Sequence, residues 1–570
     1  MVALAERSQT RLTLQTVGIA EETLAIRSLD WDRDRFDIEF ELQNGTTYNS
    51  FLIRGEKVAL IDTSHEKFRQ LYLDTLTGLI DLTQVDYLVV SHTEPDHSGL
   101  IKDILQRSPQ ITLVGTKVAI QFLEDLLHQS FERMVVKNGD RIDLGNGHEL
   151  EFVAAPNLHW PDTMLTYDHK TQVLYTCDVF GLHFCDDQLY DENLALINAD
   201  YQLYYDCLMG PNARSVLAAL KRMGDLPSYC TIATGHGPLL HHHIPELVER
   251  YRDWSQAQAK AETMVALFYA ADYGYGDELA QAIAHGIAKT GVAVELIDLK
   301  ATDPQEVIEM VGLASGIVIG MPPQSAARAA LSTLLAAVNP KQVVGLFESG
   351  GGDDESVYPL RNKFQEIGVR EAFAPILIKE TPGNATYQLC DEAGTDLGQW
   401  LTRDRTVKQM KALDNELDKA LGRLSGGLYI ITAEKGGVSS AMLASWVSQA
   451  STKPLGLSIA VAKDRAIESF MHVGDRFILN VLEEGNYQLL MRHFLKRFAP
   501  GADRFMGIKT YPAANGSPIL ADALAYVECE VVSRMECPDH WIVYSTVDAG
   551  RVSKADGLTA VHHRKVGNHY

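Results

Sequence analysis

An apolar run, Tyr87-Leu-Val-Val90, leads without a break into Ser91-His-Thr-Glu-Pro-Asp-His-Ser-Gly99, which packs two imidazoles and two carboxylates into six residues. A strand that ends in such a knot of donors presents them together at one edge of a sheet, where a metal ion can be held. The same pattern recurs downstream. His159 follows the run Leu150–Ala155, Asp178 follows Val173–Cys177, and His236 follows Cys230–Thr234 in Thr234-Gly-His-Gly-Pro238. With His92, Glu94, Asp96 and His97 this gives three or four imidazoles and three carboxylates, enough for two ions if one carboxylate bridges. Isolated histidines such as His128 and His183 read as hydrogen-bonded core or surface residues. His241-His242-His243 reads as a solvated loop or a helix start.

The chain has 570 residues, too many for one hydrophobic core. Residues 1–25 read as an N-terminal extension. From 26 to 255, short apolar runs such as Lys57–Ile61, Ile111–Val114 and Thr231–Ala233 alternate with turns and with a helix at Val118–Leu127, an α/β sandwich. From 262 to 402 the rhythm becomes regular. Strands at Met264–Tyr269, Val292–Ile297, Gly316–Gly320, Val343–Phe347 and Ala374–Ile378 alternate with helices at Asp277–Lys289, Pro304–Leu313, Ala326–Val338 and Val357–Ile367, a doubly wound parallel sheet. A polar linker helix fills 403–422. Residues 423–570 are β-rich, with runs at Leu428–Thr432, Leu455–Ala462, Arg476–Val481, Ala525–Arg534 and Trp541–Val547, consistent with a barrel.

The formal charge of −24 repels nucleic acid and anionic lipid. It is uneven: residues 421–570 carry a net +2 and the rest a net −26, so the last module tolerates an anionic ligand better than the first two. No apolar run reaches the roughly 18 residues a membrane span needs. The start of the chain shows no apolar leader. Seven cysteines without a CxxC pair suit a reducing compartment, and a cytoplasmic location is expected.

The cluster at 92–97 resembles the metallo-β-lactamase fold, whose zinc hydrolases carry His-x-His-x-Asp-His. Here Glu94 stands where the second His is expected. A carboxylate is a harder, anionic ligand and, with Asp96 and a bridging Asp178, it suits iron. Zinc has no redox chemistry, so this substitution moves the reading from hydrolysis toward redox catalysis. The order continues with 61 residues between His97 and His159, 18 more to Asp178 and 57 more to His236. Followed by a flavodoxin-like unit, it resembles the flavodiiron proteins. The resemblance implies one iron on His92, Glu94 and His159, a second on Asp96, His97 and His236, and Asp178 between them. Some members of that family leave the histidine at the place of His97 uncoordinated.

Gly437–Pro454, with Val461-Ala-Lys463 and Phe477-Ile-Leu-Asn480, looks like a flavin reductase domain, with Ser440, Ser448, Ser451, Thr452, Lys463 and Asn480 as candidate flavin contacts. The whole is similar to the class C flavodiiron proteins of oxygenic phototrophs, in the partner that keeps every iron ligand. This implies FMN in the middle module and FMN or FAD in the last. The middle-module contacts would be Ala271, Asp272, Tyr273, Gly274, Tyr275, Gly276, Pro322, Pro323, Gly350 and Gly351. That phosphate loop departs from the flavodoxin pattern, because Ala271 and Gly276 stand where hydroxyl residues are expected and Asp272 and Asp277 bring negative charge. The implied activity is an NAD(P)H:oxygen oxidoreductase that reduces dioxygen to water as a photoprotective electron sink. The implied assembly is a head-to-tail homodimer, or a heterodimer with a related chain. Arg492, Lys496 and Arg497 are candidates for the nucleotide phosphate and read equally as a solvated helix face. Nitric oxide reduction on the same centre, zinc-dependent hydrolysis and a weakly active partner subunit remain as alternatives.

Overall fold

The computed structural model describes residues 11–562 except 34, 37–39, 43, 271–274, 301, 322–327, 349–356, 379–380, 413–415, 436, 496–497 and 499–502. It divides into two units, residues 1–260 and 261–570.

The first unit is a sandwich of two sheets. One has seven strands in chain order: β1 (Leu12–Ala20), β2 (Thr23–Asp30), β3 (Thr46–Arg54), β4 (Val58–Ile61), β5 (Val85–Val89), β6 (Thr112–Gly115) and β7 (Glu132–Val135). The other has five: β8 (Arg141–Gly145), β9 (His148–Ala154), β10 (Met164–Asp168), β11 (Val173–Cys177) and β12 (Thr231–Thr234). Residues 12–20 were expected to lie in an extension. They instead form the edge strand of the first sheet, in antiparallel register with β2 from Leu12↔Asp30 onward. No residue of β1 is fully buried, which mutes the apolar signal that marks the central strands. One core lies between the sheets around Phe51, Ile61, Phe152 and Tyr175. Helices cover the outer faces: α1 (Arg69–Leu79), α3 (Ile101–Arg107) and α4 (Lys117–Leu127) on one, and α5 (Leu194–Tyr204), α6 (Ala213–Met223) and α7 (Ile244–Ala259) on the other, while the single turn α2 (Pro95–Ser98) follows the end of β5.

The second unit opens with a parallel sheet of β13 (Met264–Tyr269), β14 (Ala293–Asp298), β15 (Gly316–Met321), β16 (Val343–Glu348) and the short β17 (Arg370–Glu371), while β18 (Ile376–Leu377) pairs with β16. The order β14-β13-β15-β16-β17 is the flavodoxin-like 2-1-3-4-5 arrangement, whose ligand crevice lies at the carboxyl ends of the first and third strands. Helices α8 (Tyr275–Ala288), α9 (Pro304–Leu313), α10 (Arg328–Ala337) and α11 (Val357–Glu366) make the crossovers. Helix α12 runs unbroken over Asn384–Ala412, through the expected boundary at 402, and α13 (Glu416–Leu421) follows. It packs on α8 so closely that a Cβ on Gly394 would stand 2.1 Å from the carbonyl oxygen of Ile283.

The last module is an antiparallel sheet built from β19 (Tyr429–Lys435), β20 (Val438–Ala444), β21 (Val447–Thr452), β22 (Leu455–Ala462), β23 (Arg476–Val481), β24 (Ala525–Glu536) and β25 (His540–Val552). Its order is β20-β19-β23-β24-β25-β22-β21. Only Ser445 and Trp446 separate β20 from β21, the two ends of that order, so the chain itself curls the sheet toward a barrel. Ile431, Val461, Phe477 and Val543 fill the inside.

Buried charges link this module to α12. Arg504 donates through Nη2 to both oxygens of Asp396, at 2.8 and 2.7 Å, and to Oε1 of Glu392 at 2.9 Å. Glu392 and Asp396 lie one turn apart on the same face of α12. Lys289, directly after α8, pairs with Asp391 and, at 3.3 Å, with Glu468, which also binds Arg534. Burial, together with the charge of Asp396, pushes the Glu392 carboxyl up to about 7 against the pull of Arg504.

Candidate metal centre

All seven sequence-assigned metal ligands converge at the strand ends of the first unit, and all are buried. His92 sits just past β5. Glu94 precedes α2, and Asp96 and His97 lie within it. His159 follows β9, Asp178 follows β11, and His236 follows β12. The sites are thus contributed by both sheets at one end of the sandwich.

The donors form two groups that share one residue. Oδ2 of Asp178 lies 3.6 Å from Nε2 of His92 and 3.7 Å from Nε2 of His159. Oε2 of Glu94 stands 3.2 and 2.9 Å from the same two nitrogens. The other oxygen of Asp178, Oδ1, lies 3.0 Å from Nε2 of His97 and 3.3 Å from Nε2 of His236. Asp96 approaches these two at 3.6 and 3.1 Å. Oδ1 of Asp96 and Oδ2 of Asp178 are buried and accept no hydrogen bond. Three buried carboxylates facing inward need cations, and the donor set of four imidazoles and three carboxylates fits two transition-metal ions with Asp178 between them.

The charges confirm the mutual dependence of these groups. Burial alone lowers an imidazole and raises a carboxyl. Here the partners win against burial: His92 and His97 are held above the ordinary histidine range by Asp162, Glu94, Asp96 and Asp178, and His236 rises to about 10 beside Asp178 and Asp96. Glu94 and Asp178 are correspondingly held low by the facing histidines.

Residues outside the sequence-assigned set orient the ligands. Nδ1 of His92 bonds to Oδ1 of Asp162 at 3.0 Å, and Oδ2 of Asp162 accepts from the backbone N–H and the hydroxyl of Thr93, both at 2.7 Å. Nδ1 of His236 donates to the carbonyl of Thr47 at 2.6 Å. The 234–238 loop is pinned further by Asn49, whose Nδ2 donates to the carbonyls of Thr234 and Gly237, and by buried Arg27, whose Nη2 reaches the carbonyl of Gly237 at 3.5 Å. Gly235 permits the approach, since a Cβ there would stand 2.7 Å from Cε1 of His97. Asp62 accepts from the N–H of Ser91 at 2.7 Å and so fixes the start of the cluster. A carboxylate such as Asp162, placed in a loop with no periodic pattern, gives no sequence signal beyond its nearness to His159.

His183 is buried, bonds through Nδ1 to Thr46 Oγ1 at 2.9 Å, and packs its ring 5.0 Å from that of His236. His241–His243 precede α7, and their backbone N–H groups all donate to Asp191.

The candidate flavin residues are scattered in character. Ala271, Asp272, Tyr273, Gly274, Pro322, Pro323, Gly350 and Gly351 lie outside the described residues, as do Lys496 and Arg497; Tyr275 and Gly276 begin α8. In the last module, Ser448, Ser451 and Thr452 lie on β21, which is largely exposed. Lys463 pairs with Glu536 at 2.5 Å, and Trp446 lies 5.0 Å from the ring of His540. The structure does not bring Ser440 and Asn480 to this edge. Ser440 is fully buried beside Glu392, and the Asn480 amide is consumed by Ile430, Thr432 and Leu520. Arg492 is in the last turn of the helix α14 (Gln488–Leu495).

Three family models match successive stretches of the chain: an ODP family β-lactamase over 46–237, a flavodoxin over 267–394 and a flavin reductase-like domain over 421–568. Diflavin flavoprotein A 1 of Synechocystis sp. is 68% identical over 99% of this chain and 99% of its own. The metal-soaked Flv1 flavodiiron core from Synechocystis sp. is 37% identical, covers 69% of this chain and 99% of its own, and superposes with a TM-score of 0.65.

Proposed function

Because this chain belongs to the flavodiiron proteins, with the cyanobacterial diflavin flavoproteins A, we propose that it oxidises NAD(P)H and reduces dioxygen to water at a di-iron centre, as an electron sink. The family is one of oxidoreductases that use flavin and a di-iron site. The observation that carries the finer reading is the division of Asp178, one oxygen toward each histidine group, with Glu94 in place of an imidazole.

Iron bound there supplies the one-electron chemistry that zinc lacks. The chain's own groups do the rest. Asp162 and Thr47 hold the Nδ1 protons of His92 and His236, so that Nε2 of each faces inward. Glu94, Asp96 and Asp178 supply three negative charges, which favour the more oxidised metal ions. The burial of all seven ligands keeps bulk water from the centre. The exposed hydroxyls of β21, with Lys463, would hold a flavin in the last module. A flavin in the middle module belongs at the carboxyl ends of β13 and β15. A head-to-tail dimer, with itself or a related chain, would bring the iron site of one protomer to the flavin of its partner. Among the described residues no helix is long and apolar enough to cross a membrane.

The test is gas uptake by protein of measured iron and flavin content, with NADH or NADPH as donor and oxygen or nitric oxide as acceptor. Iron-dependent oxygen uptake, without release of superoxide or peroxide, is the expected result. Uptake of nitric oxide alone, or full activity with zinc in place of iron, would overturn it.

A further inference from the structure

A file of oxidisable rings leads away from the metal centre. Tyr204, the last residue of α5, donates its hydroxyl to Oδ1 of Asp178 at 3.1 Å. Phe180, two residues beyond Asp178, packs 4.6 Å from Tyr251 of α7. The ring of Tyr251 lies 4.9 Å from Tyr205 and 5.2 Å from Tyr201. Tyr205 in turn lies 4.9 Å from Trp254, one turn along α7 from Tyr251. The four tyrosines are buried, whereas Trp254 is partly exposed. Phenylalanine or leucine would fill this core without burying hydroxyls, each of which must be satisfied. Tyr204 bonds to Asp178, Tyr205 to Ser255 Oγ at 2.8 Å and Tyr201 to the carbonyl of Leu247 at 3.2 Å, whereas the buried hydroxyl of Tyr251 has no hydrogen-bond partner among the described residues and its burial is unexplained by packing alone. A π-helical turn, Tyr205–Met209, begins directly after Tyr204, a local irregularity that often marks a functional position.

We infer that Tyr204, Tyr251, Tyr205 and Trp254 form a protective path that carries oxidising equivalents from the metal centre to the surface of the first unit. It rests on the oxygen-reducing reading above. When turnover stalls before the last electron arrives, a strong oxidant is left at the buried histidines. One electron then passes inward along the file from Trp254, and the indole N–H proton goes to water. The neutral indole radical takes a hydrogen atom from a small thiol in solution, which becomes a thiyl radical. The balance is one electron delivered to the centre, one proton released and one thiol oxidised by one electron. The file ends on tryptophan and tyrosine because these are the side chains, apart from thiols, that give up an electron most readily.

The test uses iron-loaded full-length protein, reduced with fewer electrons than complete oxygen reduction requires and then mixed with oxygen. Freeze-quench electron paramagnetic resonance and peptide mass spectrometry are the readouts, with oxygen uptake followed in the same samples. We expect an aromatic radical and oxidation of Trp254. Trp254→Phe and Tyr205→Phe should keep the initial uptake rate, lose the tryptophan signal, move oxidation to His92, His236 or Tyr204, and inactivate after several-fold fewer turnovers. Adding a small thiol should prolong activity in the native chain and not in Trp254→Phe. Normal uptake with no aromatic radical, or an unchanged number of turnovers in both variants, would overturn the path and leave the functional reading standing. Absence of iron-dependent uptake would overturn that reading and the protective role together.

Discussion

Asp162 spends both carboxylate oxygens on adjacent residues, one on Nδ1 of His92 and the other on the N–H and hydroxyl of Thr93. It fixes the ring of the first ligand and the peptide that leads to the second, Glu94. Asp162→Asn keeps the shape and offers a donor where His92 also needs to donate. Iron affinity at the His92–Glu94–His159 group should fall by roughly 10- to 100-fold, as is usual for the loss of an outer carboxylate partner. Iron stoichiometry after equilibrium dialysis checks it, and unchanged affinity would show that Asp162 only packs.

Asp178→Ala and His92→Ala should abolish oxygen uptake and lower iron content, while NAD(P)H-driven reduction of free flavin by the last module continues near the native rate. The seven metal ligands and the flavin reductase-like module lie in separate units of the fold. Loss of flavin reduction in either variant would instead indicate misfolding or a wrong assignment of the modules.

The pairing of Glu392 and Asp396 with one arginine gives a pH dependence of definite sign. The folded-state value of Glu392 is raised to about 7, so its contribution is present below the ordinary glutamate range and is lost as pH rises through about 7. The stability of the second unit should therefore decline as pH rises from about 4.5 to about 7 and level off above that, and Glu392→Gln should flatten the decline. Thermal unfolding of both proteins across this range is the measurement; parallel curves would refute the assignment.

Arg27 reaches Gln15, the carbonyls of Asp186 and Gln188, and the carbonyl of Gly237 beside His236. Burial lowers its guanidinium to about 10, which still leaves it charged at neutral pH. Arg27→Met strands the buried carbonyl of Gly237 and removes the part-buried bonds to Asp186 and Gln188, which should cost about 3 kcal/mol of stability. It should also weaken iron more at the His236 group than at the His92 group. Denaturant unfolding and the Mössbauer spectrum of the two sites would show both effects.

Much of the centre was legible because its ligands fall directly after apolar runs. His92, Asp178 and His236 each follow a largely buried strand whose hydrophobic residues announce it, and Glu94 alone distinguishes the site from the zinc pattern. The parallel sheet was equally plain, since buried strands such as Met264–Tyr269 are apolar throughout. The edge strand Leu12–Ala20 was not, because an edge strand is only half-covered. Asp162, Thr47 and Arg27 were invisible for another reason. Their role depends on which backbone atom of a distant segment lies opposite, and no local pattern encodes that. Asn480 was read as a flavin contact from its place in a motif, and the fold adds what that motif did not encode: its amide closes hydrogen bonds between neighbouring strands.

A single carboxylate divided between two pockets also makes the pockets thermodynamically inseparable. An ion that settles against one oxygen of Asp178 fixes the angle of the other, and by reciprocity each ion changes the affinity for its neighbour by the same factor. Loading of either pocket should consequently be readable as a shift in the affinity of the other, so the iron-binding isotherm of the centre cannot be split into two independent sites.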